Sequence, residues 1–316
     1  MKKRIYTWIR RGISAAAAAL LCAGAGAALG EETYTLPIDL SGGMKYDAGA
    51  SWKKDRNCYE DPTIRAEFHE FRENMVNPQD NGTHGVYYCY VDVKIKHPSQ
   101  LRTASGDPAN FTRGIMKRTL DIAKRVQAVV AVDGDFCNSY YGQEGNKYCL
   151  RQGVVYRDTV VDYLDMLLID EDGNFHIRQG GPELAEMNKE EIDGKKVINA
   201  FQFGPALVID GEPVPDEYVL DEKHSPLTAQ PRNWAARIAI AQIEPLHYLV
   251  FSNWYGLNLA QVRDLVMSIA PCKTVYVLDG GNSGQVVFQK HQVNQNEVND
   301  RTIYDIIYFA SAYPGE

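Results

Sequence analysis

The sequence predicts an α+β fold in which a mixed, mostly antiparallel sheet core is flanked by a few helices. Short apolar or alternating segments recur from residue 86 to the C-terminus, as expected for a series of strands. Asp-Gly turn pairs separate several of these segments, which favours hairpins. Only residues 115–126 and 258–269 carry the spacing of an amphipathic helix, so helices should be few.

Composition limits the class of protein. The chain has 316 residues, of which 45% are hydrophobic and 23% charged, and its mean hydropathy is −0.34. These values are typical of a globular protein and exclude a disordered, collagenous or coiled-coil chain. No apolar run is long enough for a multi-span membrane protein, and the length suffices for one large domain or two small ones.

The first thirty residues have the composition of an export signal. A basic head, with no acid before Glu31, precedes an Ala/Leu/Gly stretch that ends in small residues. This order predicts a signal peptide over residues 1–30 and a protein that is secreted or extracytoplasmic, including association with the cell surface. The alternative is an uncleaved anchor, which would then provide the only contact with a membrane.

The mature chain is strongly acidic. Removal of the signal segment takes away five positive charges and moves the formal net charge from −8 to −13. Such a surface argues against non-specific nucleic-acid binding, which requires a basic stripe. An anionic substrate must therefore be captured by a local basic site rather than by the field of the whole protein.

Five cysteines remain in the mature chain. Cys137 and Cys149 flank a Tyr/Gly/Asn-rich loop and form one candidate disulfide, and Cys58 with Cys89 is a second candidate pair. The odd number leaves at least one thiol free. No CxxC or HxxxH spacing occurs, so the sequence predicts no zinc site and no cofactor.

The N-terminal part of the mature chain differs from the rest. Residues 31–85 are rich in Asp, Asn, Gly and charge, which predicts an irregular segment, and residues 86–316 form the predicted main domain. That domain should begin with a strand over 86–96, a loop over 99–111, a helix over 115–126 and a buried strand over 128–132. The buried strand runs directly into Asp133.

The middle of the chain is predicted to be rich in strands. An Asp172-Gly173 turn indicates a hairpin, and the proline-rich, acidic residues 212–231 are typical of an exposed flap. The predicted strands lie at 154–156, 166–169, 174–177, 206–209, 237–241 and 248–251.

The C-terminal part repeats an arrangement seen earlier. Asn258 and Gln261 have the spacing of a capping box at the start of the second helix. The next strand, 274–278, runs into Asp279, and further strands follow at 286–288 and 303–309.

Two Asp-Gly pairs therefore follow a helix and a buried strand. Asp133-Gly134 and Asp279-Gly280 would each place a carboxylate at the rim of a sheet, where glycine allows a ligand to approach the backbone. If the two strands are neighbours, both acids lie at one pole. The alternative is that both pairs are turn-forming dipeptides.

Five motifs, in order, resemble those of a known family. They are VDGDF at 132–136, FGPALVIDGE at 203–212, RIAIAQ at 237–242, VLDGGNSGQVVF at 277–288 and RTIYDIIYF at 301–309. On these motifs the chain from about Tyr59 to Ala310 resembles secreted bacterial members of the phosphodiester glycosidase family. That family is related to the domain of the mannose-6-phosphate uncovering enzyme, N-acetylglucosamine-1-phosphodiester alpha-N-acetylglucosaminidase. The resemblance implies removal of a sugar from a sugar-1-phosphodiester by cleavage of the glycosidic bond to phosphate.

Several residues fall on motif positions of the family, and a few depart from its pattern. Asp133 stands where Asn is usual, Asn282 where Gly is usual, and Asn253 near the usual place of an acid. The residues that match the motifs are Gly134, Asp135, Gly204, Pro205, Arg237, Asp279, Gly280, Gly281, Ser283, Arg301 and Asp305.

The implied reaction passes through an oxocarbenium-like state at the anomeric carbon, which requires a carboxylate. Asp279 is the candidate base or nucleophile, and Asp133 or Asp135 would complete an acid pair in which one pKa is raised. Asp133 could instead repel a phosphodiester. The three acids could also hold a divalent cation through oxygen ligands.

The phosphate and the sugar need polar partners of their own. Arg237 is the candidate phosphate clamp, because a guanidinium donates two parallel hydrogen bonds; the alternative is that it neutralises buried acids. Arg301 and Asp305, four residues apart in a strand-like tail, are expected to be structural. The other candidate substrate-binding residues either offer backbone or side-chain hydrogen-bond donors or, as glycines, let the substrate approach the backbone closely. They are Gly134, Gly204, Gly280, Gly281, Asn282 and Ser283.

Three functions follow as hypotheses. The first is a secreted hydrolase that acts on glycosyl phosphodiesters in cell-wall or glycan material, whose partner is a glycan or sugar-phosphate substrate. The second is a catalytically inactive descendant that binds such polymers, which the departures at Asp133, Asn253 and Asn282 favour. The third is a metal-dependent phosphodiesterase built on the acid cluster.

Overall fold

A computed structural model describes residues 53–112, 114–136, 146–224, 231–294 and 301–313, with only the backbone of Tyr255. The predicted signal peptide and Cys137 lie outside these residues. The described residues all belong to one compact unit. None of the helices in the described part of the chain is long and apolar enough to cross a membrane.

The described residues form three sheets, with strands numbered in chain order. The nine-stranded sheet contains, in spatial order, β1 (Lys53–Lys54), β2 (Cys58–Glu60), β3 (Ile64–Val76), β4 (Thr83–Ile95), β16 (His247–Leu257), β15 (Ala235–Glu244), β17 (Thr274–Leu278), β13 (Ala206–Ile209) and β14 (Glu212–Pro213).

The two smaller sheets come from the remaining strands. The six-stranded sheet contains β10 (Phe175–Arg178), β9 (Met166–Asp170), β12 (Lys195–Gln202), β7 (Cys149–Arg151) and β8 (Val154–Arg157), with β11 (Glu191–Ile192) also paired to β12. The five-stranded sheet contains β19 (His291–Gln292), β18 (Val286–Phe288), β6 (Val130–Asp133), β20 (Asp305–Phe309) and β5 (Leu101–Ser105).

Helices are few, as the sequence predicts. The described residues contain α1 (Thr119–Arg125), α2 (Asp216–Val219), α3 (Leu259–Ile269) and one 3₁₀ turn (Pro98–Gln100). The capping box of α3 is confirmed: the Asn258 side chain accepts from the Gln261 amide at 2.8 Å, and the Gln261 side chain accepts from the Asn258 amide at 3.2 Å. Helix α1 packs on the five-stranded sheet, against β6, β18 and β20.

The sheet-rich α+β class is thus broadly consistent with the prediction, but two details are corrected. Every strand pair between the described residues is antiparallel, so the sheets are not mixed. The strands are also divided among three sheets rather than one. Segments of similar alternating sequence give no information about which of them pair.

Two segments predicted to lack regular structure contain strands. The described part of 31–85 holds β1, β2 and the thirteen-residue β3, which pairs with β4 along its whole length. Residues 99–111, predicted as a loop, contain β5. The solvent-facing end of β3 is polar, and its neighbour β4 supplies the pairing that a local pattern does not reveal.

The core lies where the three sheets meet. The Phe68 ring of the nine-stranded sheet stacks on Phe288 of the five-stranded sheet, with centroids 6.1 Å apart. The Tyr276 hydroxyl of β17 accepts from the Phe203 amide at 2.7 Å and bonds the Asp165 carbonyl at 2.8 Å, which ties the nine-stranded sheet to the chain around the six-stranded one. These contacts fix the ends of β6 and β17 relative to each other.

The cysteine predictions have different outcomes. Cys58, Cys89, Cys149 and Cys272 are buried free thiols. The candidate Cys58–Cys89 disulfide is wrong, because these residues pair with opposite edges of β3, opposite Glu67 and Glu70, and the two strand spacings alone separate their Cα atoms by about 10 Å, beyond the reach of a disulfide. The other candidate pair involves Cys137, which lies outside the described residues.

Candidate active site

The ends of β6 and β17 meet, although the two strands belong to different sheets. The backbone amide of Asp279 donates to the Gly134 carbonyl at 3.1 Å. The predicted convergence of the two Asp-Gly pairs is therefore confirmed, while the predicted reason for it, neighbouring strands in one sheet, is wrong. The loops after the two strands bring the acids together.

A cavity lies at this junction. Its volume is about 20 Å³, enough to admit one water molecule. Three carboxylates and one guanidinium are among the groups that line it. The described lining residues are Met116, Asp133, Gly134, Phe136, Asp279, Ser283, Arg301, Thr302, Ile303, Tyr304 and Asp305.

Asp133 is the most deeply buried acid of the cavity. The residue is 1% exposed; Oδ1 accepts from the Gln285 amide at 3.2 Å, and Oδ2 has no hydrogen-bond partner among the residues that the structure describes. Burial raises the pKa of Asp133 well above its usual range, and the nearby charge of Asp279 raises it further. Asp133 therefore holds a proton under conditions in which an exposed aspartate is ionised.

Asp279 is half-buried and has a different environment. Burial of its carboxyl raises the pKa of Asp279 to about 6, although a hydrogen bond from Ser283 and the charges of Lys147 and Arg301 favour the ionised form. At neutral pH Asp279 is thus ionised, and Asp133, whose pKa is raised with no opposing cation among the described residues, binds its proton more tightly than an exposed aspartate does. Two acids of unequal proton affinity in one cavity are the arrangement expected of an acid–base pair.

Asp305 also faces the cavity, which the sequence did not predict. It is 2% exposed; Oδ2 accepts from the Arg151 Nε at 2.8 Å, and Oδ1 has no hydrogen-bond partner. Burial raises the pKa of Asp305, and the guanidinium of Arg151 opposes that rise. The predicted purely structural role of this residue is therefore incomplete, because its carboxylate lines the cavity.

Gly134 makes room for that carboxylate. Its amide donates to the Asp305 carbonyl at 2.9 Å, so the two residues lie opposite each other at the edge of the five-stranded sheet. A Cβ atom at Gly134 would be 2.4 Å from Asp305 Oδ1. Only glycine leaves space for the Asp305 side chain at this point.

Asp135 lies behind the cavity rather than in it. Its Oδ1 accepts from the Arg151 Nη2 at 2.8 Å and its Oδ2 from the Gln202 amide at 2.8 Å. Because Arg151 also bonds Asp305, one fully buried guanidinium bridges the two acids. Lys147, also fully buried, donates to the Asp135 carbonyl. The carboxylate of Asp135 is thus engaged in an ion pair behind the cavity, and its catalytic role stays a prediction.

Arg237 is not among the described residues that line the cavity. Its Nη2 donates to the Asn233 carbonyl at 3.2 Å. The pKa of Arg237 is lowered to about 10 through burial, whereas a neighbouring carboxylate would raise it. The Arg237 backbone lies beside the Asp279 loop, because a Cβ atom at Gly280 would be 3.2 Å from the Arg237 Cα, but within the described residues the arginine that lines the cavity is Arg301, which is exposed. The role of Arg237 as a phosphate clamp stays a prediction.

The glycine-rich loop after β17 is used mainly to fold back on β15. The Gly281 amide donates to the Ala236 carbonyl at 2.9 Å and the Ser283 amide to the Gly280 carbonyl at 3.1 Å, so these two amides do not point at a ligand as predicted. A Cβ atom at Gly280 would be 3.0 Å from the Ala236 carbonyl. Asn282 is exposed, and Ser283 contributes its side chain to Asp279.

Gly204, predicted to bind substrate, is a structural residue in the described part of the chain. Its φ is +76°, and the peptide bond to Pro205 is cis. The Gly204 amide donates to the Val277 carbonyl of β17 at 3.2 Å, two residues before Asp279. Asp165 supports this turn by accepting from the Ala206 amide at 2.8 Å. The turn holds the end of β17 but does not reach the cavity lining.

The sequence reasoning missed Arg151 and Lys147 entirely. Both are fully buried, and both act electrostatically on acids of the site. The sequence does contain a signal for Asp305. It is an acid within an otherwise apolar strand, and a buried carboxylate of this kind is usually paired with a buried cation. Within the described ranges, no group of three or more His, Cys, Asp and Glu side chains has the arrangement of metal ligands.

Comparisons with known proteins agree with this fold. A family model of phosphodiester glycosidases matches residues 126–310. No protein with a curated description matches the chain. The catalytic domain of zebrafish N-acetylglucosamine-1-phosphodiester alpha-N-acetylglucosaminidase, solved in a form auto-inhibited by the pro-peptide, is similar, with a TM-score of 0.60 and 15% identity. That match covers 83% of this chain and 87% of the zebrafish one, and at this identity it shows the fold alone.

Two further solved structures are more distant. A hypothetical protein from Synechocystis matches with a TM-score of 0.46 and 12% identity over 78% of this chain and 62% of its own. An exported protein from Burkholderia pseudomallei matches with a TM-score of 0.44 and 11% identity over 73% of this chain and 77% of its own. Because the family model spans more than half of the sequence, including β6, β15, β17 and β20, the chain belongs to the phosphodiester glycosidase family, a family of glycosidase-type hydrolases.

Proposed function

We propose that this protein is a secreted hydrolase that cleaves the glycosidic bond of sugar-1-phosphodiesters in cell-wall or glycan material. The observation that carries the proposal is the cavity shared by Asp133, Asp279 and Arg301. It combines an acid whose pKa is raised, an acid that is ionised at neutral pH and an accessible cation, which are the groups that this cleavage requires. The activity named for the zebrafish relative belongs to the same reaction class.

Asp279 is the residue proposed to act on water. Its carboxylate is ionised at neutral pH, lines the cavity and is oriented by the Ser283 side chain. Water attacks the anomeric carbon as the bond to the phosphate oxygen breaks, and Asp279 takes the proton of that water. The electron pair of the broken bond stays on the phosphate. A phosphate monoester is a stable leaving group, so this step needs little proton donation.

Arg301, rather than Arg237, is proposed to hold the phosphate. It is exposed, lines the cavity and lies close enough to Asp279 to lower its pKa. A guanidinium can pair with two phosphate oxygens at once. The strongly acidic surface predicted for the mature chain makes such a local cation necessary for an anionic substrate.

The position of bond cleavage distinguishes the candidate functions. Incubation of the purified mature chain with a sugar-1-phosphodiester in ¹⁸O-labelled water should release free sugar that carries the label and an unlabelled phosphate monoester. Label in a phosphate product, together with sugar-1-phosphate, would instead indicate a phosphodiesterase. Each reaction is run with and without a chelator, and mass spectrometry of both products provides the measurement.

A second candidate function is glycan binding without catalysis. The observation that favours it is Asn253, which lies near the place of an expected acid and is buried with its Nδ2 donating to the Ala235 carbonyl at 2.7 Å. This amide cannot act as a base. Saturable binding of the phosphodiester with no labelled product would support this function over hydrolysis.

Replacement of Arg301 by Met should lower kcat/KM for the phosphodiester by about 10- to 100-fold, the range expected for a lost charged hydrogen bond. Most of the loss should be in KM. The acid limb of the pH–rate profile should also move to higher pH, because Arg301 lowers the pKa of Asp279. Arg56→Met is the matched control, since the Arg56 side chain is 84% exposed and pairs only loosely with Glu70 at 3.7 Å. An Arg301 variant with unchanged KM and pH profile would remove this assignment.

A further inference from the structure

Asp133 occupies a position where a negative charge would be costly. Its carboxyl lies at the end of β6, 1% exposed, and only Oδ1 is hydrogen-bonded. Oδ2 is buried and has no partner within the described ranges, although Asp133 lines the cavity. A buried carboxylate oxygen without a donor loses its hydration and gains nothing in return, whereas a protonated oxygen can itself donate to an occupant of the cavity.

The groups that face Asp133 make ionisation still less favourable. Asp279 follows β17 and Asp305 begins β20, and both carboxylates repel a charge on Asp133. From the loop after β17, only the neutral Gln285 amide bonds it, at 3.2 Å. The cations of the site are engaged with other groups or lie at the rim: Arg151 bridges Asp135 and Asp305, Lys147 donates to the Asp135 carbonyl, and Arg301 is exposed. Asp133 thus has two acidic neighbours and no ion pair in the described part of the chain.

We infer that Asp133 works as a neutral carboxylic acid whose Oδ2–H donates a hydrogen bond to the phosphodiester anion, so that this protein binds its substrate only while Asp133 keeps its proton. The inference rests on the proposed function for the identity of the substrate. It assigns to Asp133 a role in substrate binding rather than in proton transfer.

A neutral Asp133 resolves the apparent conflict of an acid in a phosphate site. The protonated carboxyl has the shape of an asparagine side chain and, like it, offers one donor and one acceptor. Asn is the usual residue of the resembling family at this position. Unlike Asn, however, the acid can lose its proton, and it then changes from a donor to a repelling charge. The protein should therefore lose affinity for anions as pH rises through the range in which Asp133 ionises.

The sign of the effect follows from the direction of the shift. The pKa of Asp133 is raised, so its proton is kept to higher pH than that of an exposed aspartate and is lost as the pH rises further. Because Asp133, Asp279 and Asp305 interact, the apparent ionisation belongs to the cluster. Substitution by Asn removes the ionisable group at this one position and keeps the donor.

The test measures binding and protonation separately from turnover. Dimethyl phosphate is the binding probe, because it is a phosphodiester that stays a monoanion across the range. Calorimetry should show its Kd for the wild-type protein weakening at least tenfold between pH 6 and the alkaline side of the profile. In Asp133→Asn, the Kd should stay within about twofold over the same range. Over the same pH range, the ratio of the Asp133→Asn kcat/KM to the wild-type kcat/KM should rise by the factor by which the wild-type Kd weakens.

Infrared spectroscopy gives an independent readout. The wild-type protein at pH 7 should show the carbonyl stretch of a protonated carboxylic acid that is absent from Asp133→Asn and retained in Asp193→Asn. Asp193 is an exposed turn residue with a left-handed φ of 50°, which asparagine adopts readily. Should Asp133→Asn fail to fold, absence of this band from the wild-type protein at pH 7 would still overturn the inference.

The outcomes separate this inference from the proposed function. Absence of the band at pH 7, or equal pH dependence of dimethyl phosphate binding in the wild type and Asp133→Asn, overturns the inference even if the enzyme is active. Presence of the band and of the predicted difference in binding, without any labelled sugar, supports the inference for anion binding and overturns the hydrolase proposal.

Discussion

Replacement of Asp279 by Asn should lower kcat for sugar-1-phosphodiester hydrolysis by about 10²- to 10⁴-fold, the contribution typical of a general base. Asparagine keeps the shape of the side chain and can still accept from Ser283, but it cannot take the proton of the attacking water. The KM should change much less, because the phosphate is assigned to Arg301. Steady-state kinetics of the purified variant with the labelled-water assay provide the measurement.

The pH dependence gives this prediction its second readout. Because the pKa of Asp279 is raised to about 6 and the base must be ionised, wild-type kcat/KM should fall as pH drops below about 6. The residual rate of Asp279→Asn should lack this acid limb. Asp193→Asn, the exposed control, should keep both the rate and the limb. Retention of wild-type kcat by Asp279→Asn would eliminate the proposed base.

The sequence was sufficient to locate the two acids because each follows a local pattern. The buried strands before Asp133 and Asp279 are short apolar runs, and an Asp-Gly pair terminates each of them. Such patterns depend only on neighbouring residues. The contact between Asp279 and Gly134 depends in addition on the packing of two sheets against each other. The repeated order of helix, strand and Asp-Gly suggests that the two acids lie close together, but it does not reveal this packing.

The choice of arginine could not be made from local sequence. Arg237 lies at a strand start in a family motif, which makes it the candidate phosphate-binding residue. Arg301 precedes the last strand, and its position there predicts a structural role. Their positions relative to the cavity depend on how β15 and β20, in two different sheets, are aligned at the junction. A one-residue change of register would exchange the face to which each side chain points, and composition does not fix that register.

The buried ion pairs are the second feature of the site that local sequence cannot predict. Arg151 and Asp305 are separated by 154 positions and contact each other across two sheets. Nothing near Arg151 in the sequence indicates that it will be fully buried. A charged residue in a short strand is usually solvent-exposed, and only the completed fold supplies the two carboxylates that make its burial tolerable.

Replacement of Arg151 by Met should destabilise the protein by about 3–5 kcal/mol, the cost of leaving buried charges without their partner. Arg151 is fully buried, at 2.8 Å from Asp135 on one side and 2.8 Å from Asp305 on the other. Methionine fills much of the volume and adds no charge, so the loss reports on the two carboxylates. Chemical denaturation monitored by circular dichroism gives the free energy of unfolding for both proteins.

The pH dependence of that loss identifies its cause. Without the guanidinium, the pKa of Asp305 should rise further in the folded state, while in the unfolded state it keeps a value near 3.8. The folded variant then binds protons more tightly than its unfolded form, so its stability decreases as pH rises above about 4, relative to wild type. The difference in unfolding free energy should therefore be smallest near pH 4 and largest at neutral pH.

A matched surface pair shows whether burial is responsible. Arg118 bonds Asp121 at 2.8 Å, the same distance as in the buried pairs, but their side chains are 34% and 42% exposed. Arg118→Met should cost less than about 1 kcal/mol, because water already solvates both charges. If Arg151→Met cost no more than this control, or if its loss did not vary with pH, the carboxylates behind the cavity would not depend on Arg151. The position of Asp305 in the cavity would then need another explanation, and Arg151 of β7 could no longer be assigned the role of supporting the active site.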